Sequence, residues 1–123
     1  MPLTFVITKE DVLRGKIVDP GWYKVNVKNV RQEAAATDGS TNTWIDMVIL
    51  EGPFKDVPLL RNFNEKAPGF AIPFITALGG KVTEEGATFD MERAKGKQLL
   101  VYVKNGMYKD KPQNQVEDFK PLA

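Results

Sequence analysis

Trp22-Tyr23-Lys24-Val25-Asn26-Val27-Lys28 is the stretch whose reading decides the fold. Successive side chains on a β-strand point to opposite sides. Tyr23, Val25 and Val27 therefore share one face, and Trp22, Lys24, Asn26 and Lys28 share the other. The first face is apolar enough to enter a core. The second is aromatic and basic instead of plainly polar. Two further stretches alternate in the same way. Leu99, Val101 and Val103 oppose Leu100, Tyr102 and Lys104, while Ile45, Met47 and Ile49 oppose Trp44, Asp46, Val48 and Leu50. Placed in register in one sheet, the three strands give an outer face carrying Trp, Tyr and Lys together.

Working outward, Asp19-Pro20-Gly21 is a turn, because Pro presets its own φ and Gly accepts a positive one. Before it, Thr8-Lys9-Glu10-Asp11 opens a short helix: Thr8 can cap the free N–H groups and the acidic residues suit the positive helix start. Gly15 ends that helix. The first strand runs from Trp22 to about Glu33, and residues 34–42 form a loop with Asp38-Gly39 as its turn signal. The second strand, about Thr43 to Glu51, is apolar on both faces and is expected in mid-sheet. Gly52-Pro53 breaks it, and Val57 to Phe63 is the third. Phe70, Phe74 and Leu78 then recur every four residues, which predicts a helix that plugs the core. Pro73 pushes its regular start towards Ile72, and Gly79-Gly80 stops it. After a polar, acidic connection to about Lys95, Lys97 to Lys104 is the fourth strand. Asn105-Gly106 is the strongest short turn signal in the chain. Asn114 to Phe119 is the fifth strand.

Three strands, a helix and two strands is the order of a five-stranded Greek-key barrel of the OB type. The expected fold is therefore mainly β: an OB-like barrel with a helix between strands 3 and 4 and a short N-terminal helix. One domain over residues 1–123 is the prior for this length. Residues 1–21 are its N-terminal extension, and residues 107–113 are expected to be a mobile basic loop. An unrelated antiparallel sheet or sandwich with one helix packed on it is the alternative.

Composition narrows the chemistry. The 123 residues contain no cysteine, so neither a disulfide framework nor a thiolate metal site is available. They contain no histidine, which removes the commonest general base and the usual metal ligand. No nucleophile motif, phosphate loop or paired-carboxylate signature takes their place. The expectation is a protein that is not an enzyme and needs no cofactor or metal. No run approaches the ~20 apolar residues of a membrane span, and the N-terminus does not resemble a signal peptide, so a cytoplasmic protein is expected. Net charge is +1 from 17 basic and 16 acidic residues, which by itself argues weakly against nucleic-acid binding. Distribution matters more. Glu84, Glu85, Asp90 and Glu92 fall in one acidic segment, whereas Lys104, Lys109 and Lys111 cluster later.

The progression from Trp44-Ile-Asp-Met-Val-Ile-Leu-Glu-Gly-Pro-Phe-Lys55 through Asn62-Phe63-Asn64 to Thr76-Ala-Leu-Gly79 is distinctive. Gly96-Lys97 before Leu-Leu-Val-Tyr-Val, and Asn114 shortly before Phe119, continue it. It resembles small bacteriophage early proteins encoded among replication and recombination genes, regarded as single-stranded DNA-binding proteins of OB type. The resemblance spans most of residues 22–121. It implies a sequence-tolerant DNA binder in the bacterial host cytoplasm, with phage replication or recombination proteins as further partners. Its motifs are structural signposts and mark no DNA-contacting residue.

Single-strand binders without sequence preference combine a cationic groove with aromatic planes on which bases stack. Trp44 heads the candidates. It reads as a stacking platform or as a barrel-end Trp packed beneath the Asp38-Gly39 loop. Trp22 reads as an outward platform or as a cover for the N-terminal helix. Tyr102, sharing its face with Lys104, is a further base contact. Tyr108, with Lys109 and Lys111 beside it, either closes over a bound strand or forms a solvated hairpin tip. Lys24, Lys28, Arg31 and Arg61 are the candidate phosphate contacts. Phe5, Phe70 and Phe74 are expected in the core. A competing reading is a protein-interaction module that pairs an exposed sheet edge with another chain, for instance as a homodimer. A third, a small enzyme or sugar-binding barrel, has only the scattered carboxylates in its favour.

Overall fold

A computed structural model describes residues 3–122. Five strands form one antiparallel sheet: β1 (Gly21–Ala34), β2 (Thr41–Ile49), β3 (Pro58–Asn64), β4 (Gln98–Tyr108) and β5 (Lys111–Lys120), in the spatial order β3-β2-β1-β4-β5. Two short helices accompany it, α1 (Lys9–Arg14) and α2 (Ile72–Ala77). The expected mainly-β class and the position of the helix between strands 3 and 4 hold. The expected closed barrel does not: β3 and β5 are the two ends of the sheet, and no ladder joins them among the described residues. The ends instead meet through side chains. Phe63 of β3 and Phe119 of β5 lie 5.9 Å apart by ring centroids, and Phe74 of α2 packs on both at 5.6 and 5.2 Å. Three rings fill the gap that a further run of backbone hydrogen bonds would otherwise bridge.

The core lies on the inner face. Val25, Val27, Ile45, Met47, Ile49, Leu99, Val101 and Val103 are all fully buried there. Alternation alone accounts for the first part of β1, then fails at one point. The register with β2 slips between Val27 and Asn29, leaving Lys28 as an extra residue. Such a bulge bends its strand and shifts the phase of every later side chain. Val27 faces inward before it, and Val30 faces inward after it. Arg31, which unbroken alternation would place beside Val25 and Val27, therefore moves to the outer face. At the same place β1 leaves β4: the pairing ends at Asn26 opposite Gln98, closed by bonds of Val27 to Gly96 and Lys97.

The N-terminal helix forms as its residues dictate. Thr8 Oγ1 accepts from the Asp11 N–H, and the Asp11 side chain accepts from the Thr8 N–H, a reciprocal capping box. Gly15 follows its last turn. Its tether to the sheet is light: no residue of α1 is buried, and Lys9 reaches Asp56 at 3.5 Å. Ahead of it, Leu3, Phe5, Val6 and Ile7 are exposed, so the expected core position of Phe5 is corrected.

Two other expectations change. Residues Pro68–Ala71 form a 3-10 turn before α2, and Pro73 sits in the first turn of the helix, where its missing N–H costs nothing. The tighter turn rotates Phe70 off the helical stripe, and it is 67% exposed, while Phe74 stays in the core. The β4–β5 reversal is not at Asn105-Gly106. The ladder continues to Tyr108 opposite Lys111, and the chain turns at Lys109 and Asp110, both with positive φ. Asn105 is occupied elsewhere: its Nδ2 donates to the Val18 carbonyl at 2.8 Å. Gly106 leaves room for the Gln115 side chain, which a Cβ would meet at 2.3 Å.

Candidate nucleic-acid interface

The outer face of β1–β2–β3 forms the floor of an open groove of about 1130 Å³. Asn29 and Arg31 come from β1, Trp44 and Asp46 from β2, and Leu60 and Asn62 from β3. The ladder sets these neighbours: Trp44 stands opposite Arg31 on one side and Asn62 on the other. One wall is the end of α1 and the residues after it, Arg14, Gly15 and Ile17; another is the β4–β5 hairpin, with Tyr108, Pro112, Gln113 and Asn114. Asn114 ties the walls together. Its Oδ1 accepts from the Val18 N–H at 2.9 Å, and its Nδ2 donates to the Lys16 carbonyl at 2.9 Å.

Trp44 is half-buried, so its ring forms part of the groove surface and is not enclosed beneath the Asp38-Gly39 loop. The Arg31 guanidinium lies 5.8 Å from the Trp44 ring centroid. It also donates to Asp46 at 2.6 Å and Glu33 at 3.1 Å. The bond to Asp46, ahead of the contribution of Glu33, raises the Arg31 pKa above its ordinary value. Lys28, made prominent by the bulge, lines the groove, and Tyr108 is 60% exposed on the hairpin wall. The charged lining is Arg14, Lys28 and Arg31 against Asp46.

The remaining candidates are elsewhere. Trp22 and Tyr102 are cross-strand neighbours on β1 and β4, edge to face at 5.5 Å. Lys24 shares the outer face of β1 with Trp22 and stands opposite Leu100. This second cluster is nine positions along β1 from Arg31, roughly 30 Å of strand. The single trough expected to hold all the aromatics and lysines is thus two separate patches. Lys104 is ion-paired to Glu117 at 2.7 Å. Lys111 pairs with Tyr108 in the ladder, and Lys109 Nζ lies 5.4 Å from the Tyr108 ring centroid. Arg61 does not share the outer face. It lies between Leu59 and Phe63 on the core side of β3, opposite Ile45, with its guanidinium 5.0 Å from the Phe63 ring centroid. Its Nε is buried without a hydrogen-bond partner, and burial lowers its pKa against the opposing pull of Glu117.

Several residues of both patches escaped sequence reasoning. Lys120 is one, and only the β4–β5 register places it near Trp22. Asp46, Asn29, Asn62, Gln113, Asn114 and Arg14 are the others, and they come from five elements or connections. The alternation that flagged Trp44 also puts Asp46 on its face, which was the one available signal.

A family model described as "Protein of unknown function (DUF669)" matches residues 5–68, just over half of the chain. The chain belongs to that family. The match to this family covers α1, β1, β2 and β3, and so the whole groove floor, but stops short of the hairpin wall. No curated protein matches the chain. Among the described residues, no helix is long and apolar enough to cross a membrane, and no group of three or more carboxylates is placed to hold a metal ion.

Proposed function

We propose that this protein binds single-stranded DNA with little sequence preference, in bacteriophage DNA replication or recombination. The observation that carries the reading is the groove, which sets the half-buried Trp44 ring beside Arg31 and includes Arg14 and Lys28 in its lining, with Tyr108 on another wall. Bases stacking on the rings would supply affinity that any base can provide. The lining cations that lack a carboxylate partner among the described residues, Arg14 and Lys28, would meet phosphates and release their counterions. A groove lined by side chains of one sheet face suits splayed, unpaired bases better than a rigid duplex. The strand order supports an OB-like assignment, because the ends of the sheet approach each other with a helix wedged beside them. On this reading the role is non-catalytic, the setting is the host cytoplasm, and other phage replication or recombination proteins are the natural partners.

Titration with oligo-dT tests the proposal. Tryptophan emission is quenched at low salt, and affinity falls steeply as salt rises. No quench and no gel shift at low ionic strength would reject it. A second reading, an assembly module, is favoured by the exposed apolar run Leu3, Phe5, Val6 and Ile7. Light scattering distinguishes the two: a concentration-dependent dimer indifferent to DNA supports the module.

A further inference from the structure

Arg31 is less available to a phosphate than its place in the groove suggests. Its Nη1 donates to Asp46 at 2.6 Å and its Nε to Glu33 at 3.1 Å. One guanidinium faces two carboxylates, so the three side chains together carry a formal charge of +1 − 2 = −1. Asp46 is the shorter contact and is two residues from Trp44 on the same face of β2. It therefore holds the guanidinium beside the indole ring, and its own carboxylate belongs to the lining of the same groove. Of the three cations lining the groove, Arg14 and Lys28 have no ion-pair partner among the described residues.

We propose that Asp46 is an affinity- and salt-setting residue of the groove: it keeps Arg31 as a fixed wall beside Trp44 and out of the set of groups that neutralise DNA phosphates. The inference rests on the single-stranded DNA reading and deepens it. Its physical basis is that a cation already paired with carboxylates releases few counterions when a phosphate approaches. The strand is then held chiefly by stacking and by the unpaired cations. Exposed ion pairs are individually weak, so Asp46 moderates binding and does not abolish it.

Oligo-dT affinity is measured as a function of salt for the wild type, Asp46→Asn, Arg31→Gln and the double variant, with circular dichroism confirming the fold of each. Asp46→Asn is expected to bind about two- to fivefold more tightly, from the size of an exposed ion pair. Its plot of log affinity against log salt steepens by at most about 0.7, the increment for one more phosphate on a single strand, because Glu33 still pairs with Arg31 at 3.1 Å. Arg31→Gln in the wild-type background leaves that slope unchanged, and in the Asp46→Asn background it returns the slope to the wild-type value. If the wild type binds and Asp46→Asn has the same slope, or binds more weakly, this inference alone falls. An Arg31→Gln single variant with a shallower slope than the wild type overturns it too, without needing Asp46→Asn to fold. A wild type that binds no oligonucleotide at low salt removes the DNA reading and the inference together.

Discussion

Lys120 Nζ stands 4.2 Å from the centroid of the Trp22 ring, on the opposite half of β1 from the groove. The ammonium lies over the indole, and the Tyr102 ring packs against it at a steep angle, 66° between the planes. Trp22 is nonetheless 41% exposed, more open than the half-buried Trp44. Cation–π contacts at exposed sites are worth ~0.5–1 kcal/mol, so this ring is already partnered in the free protein. Trp44 has a cation beside it too, Arg31 at 5.8 Å, so what separates the two rings as stacking platforms is that Trp44 lies in the groove lining and Trp22 does not.

Single-tryptophan variants separate them. Trp22→Phe keeps most of the oligo-dT quench, and Trp44→Phe loses most of it. Trp44→Ala is expected to weaken binding by about 1–3 kcal/mol while the thermal midpoint stays close to that of the wild type, because the side chain is only half-buried. Equal quenching from the two single-tryptophan variants would place the DNA across both patches.

Asn114 links β5 to the segment that enters β1, through the Val18 N–H and the Lys16 carbonyl. Val18 is buried, so its N–H has no ready access to water once Asn114 is gone. Asn114→Ala is expected to lower stability by about 1–3 kcal/mol, the cost of leaving such a donor unsatisfied. Urea unfolding with an unchanged m-value is the check. Asn114→Asp keeps the acceptor for Val18 but loses the donor to Lys16, and should fall between the two.

The hairpin turn can be improved. Lys109 and Asp110 hold φ at 49° and 63°, a region that costs side-chain-bearing residues energy and that Asn and Gly tolerate. Replacing the pair by Asn-Gly is expected to raise stability by about 1 kcal/mol, read as a higher thermal midpoint. A lower midpoint would show that the native side chains contribute contacts that outweigh the backbone cost.

Asp38 shapes the acid side of the stability curve. Lys66 at 2.8 Å, and then the Ser40 hydroxyl and N–H, hold its pKa at about 2, below the ordinary 3.8. The folded-state pKa lies below the unfolded one, so the contribution is fully present above about pH 4 and is lost as pH falls through about 2. Asp38→Asn should flatten the stability profile between those values and leave its shape near neutrality unchanged.

Much of the architecture could be read from short stretches. The Thr8–Asp11 capping box involves residues three apart, and it is present as expected. The strand identities follow from alternation over seven or more residues, and Pro73 marks where α2 becomes regular. The errors also have local explanations. Phe70 fits a four-residue spacing, but a 3-10 turn does not keep that spacing, so the ring leaves the stripe. Asn105-Gly106 is a turn signal only where no other demand falls on it, and the bond to Val18 makes that demand.

The candidate site was legible residue by residue but not as an arrangement. Alternation put Trp22, Lys24 and Trp44 on outer faces, because it depends only on the pleat of each strand. Which of them share a surface depends on register between strands and on the bulge at Lys28. That one extra residue turns Arg31 outward, to meet Trp44 and Asp46 across the ladder. It adjoins the backbone bonds of Val27 to Gly96 and Lys97, about seventy residues along the chain. The local pattern thus determines which faces are apolar, because chirality and pleating act within one strand. Pairing between distant segments determines the phase of those faces, the partner of each charge and the split of the aromatics into two patches, because hydrogen bonds between strands are what fix one strand against another.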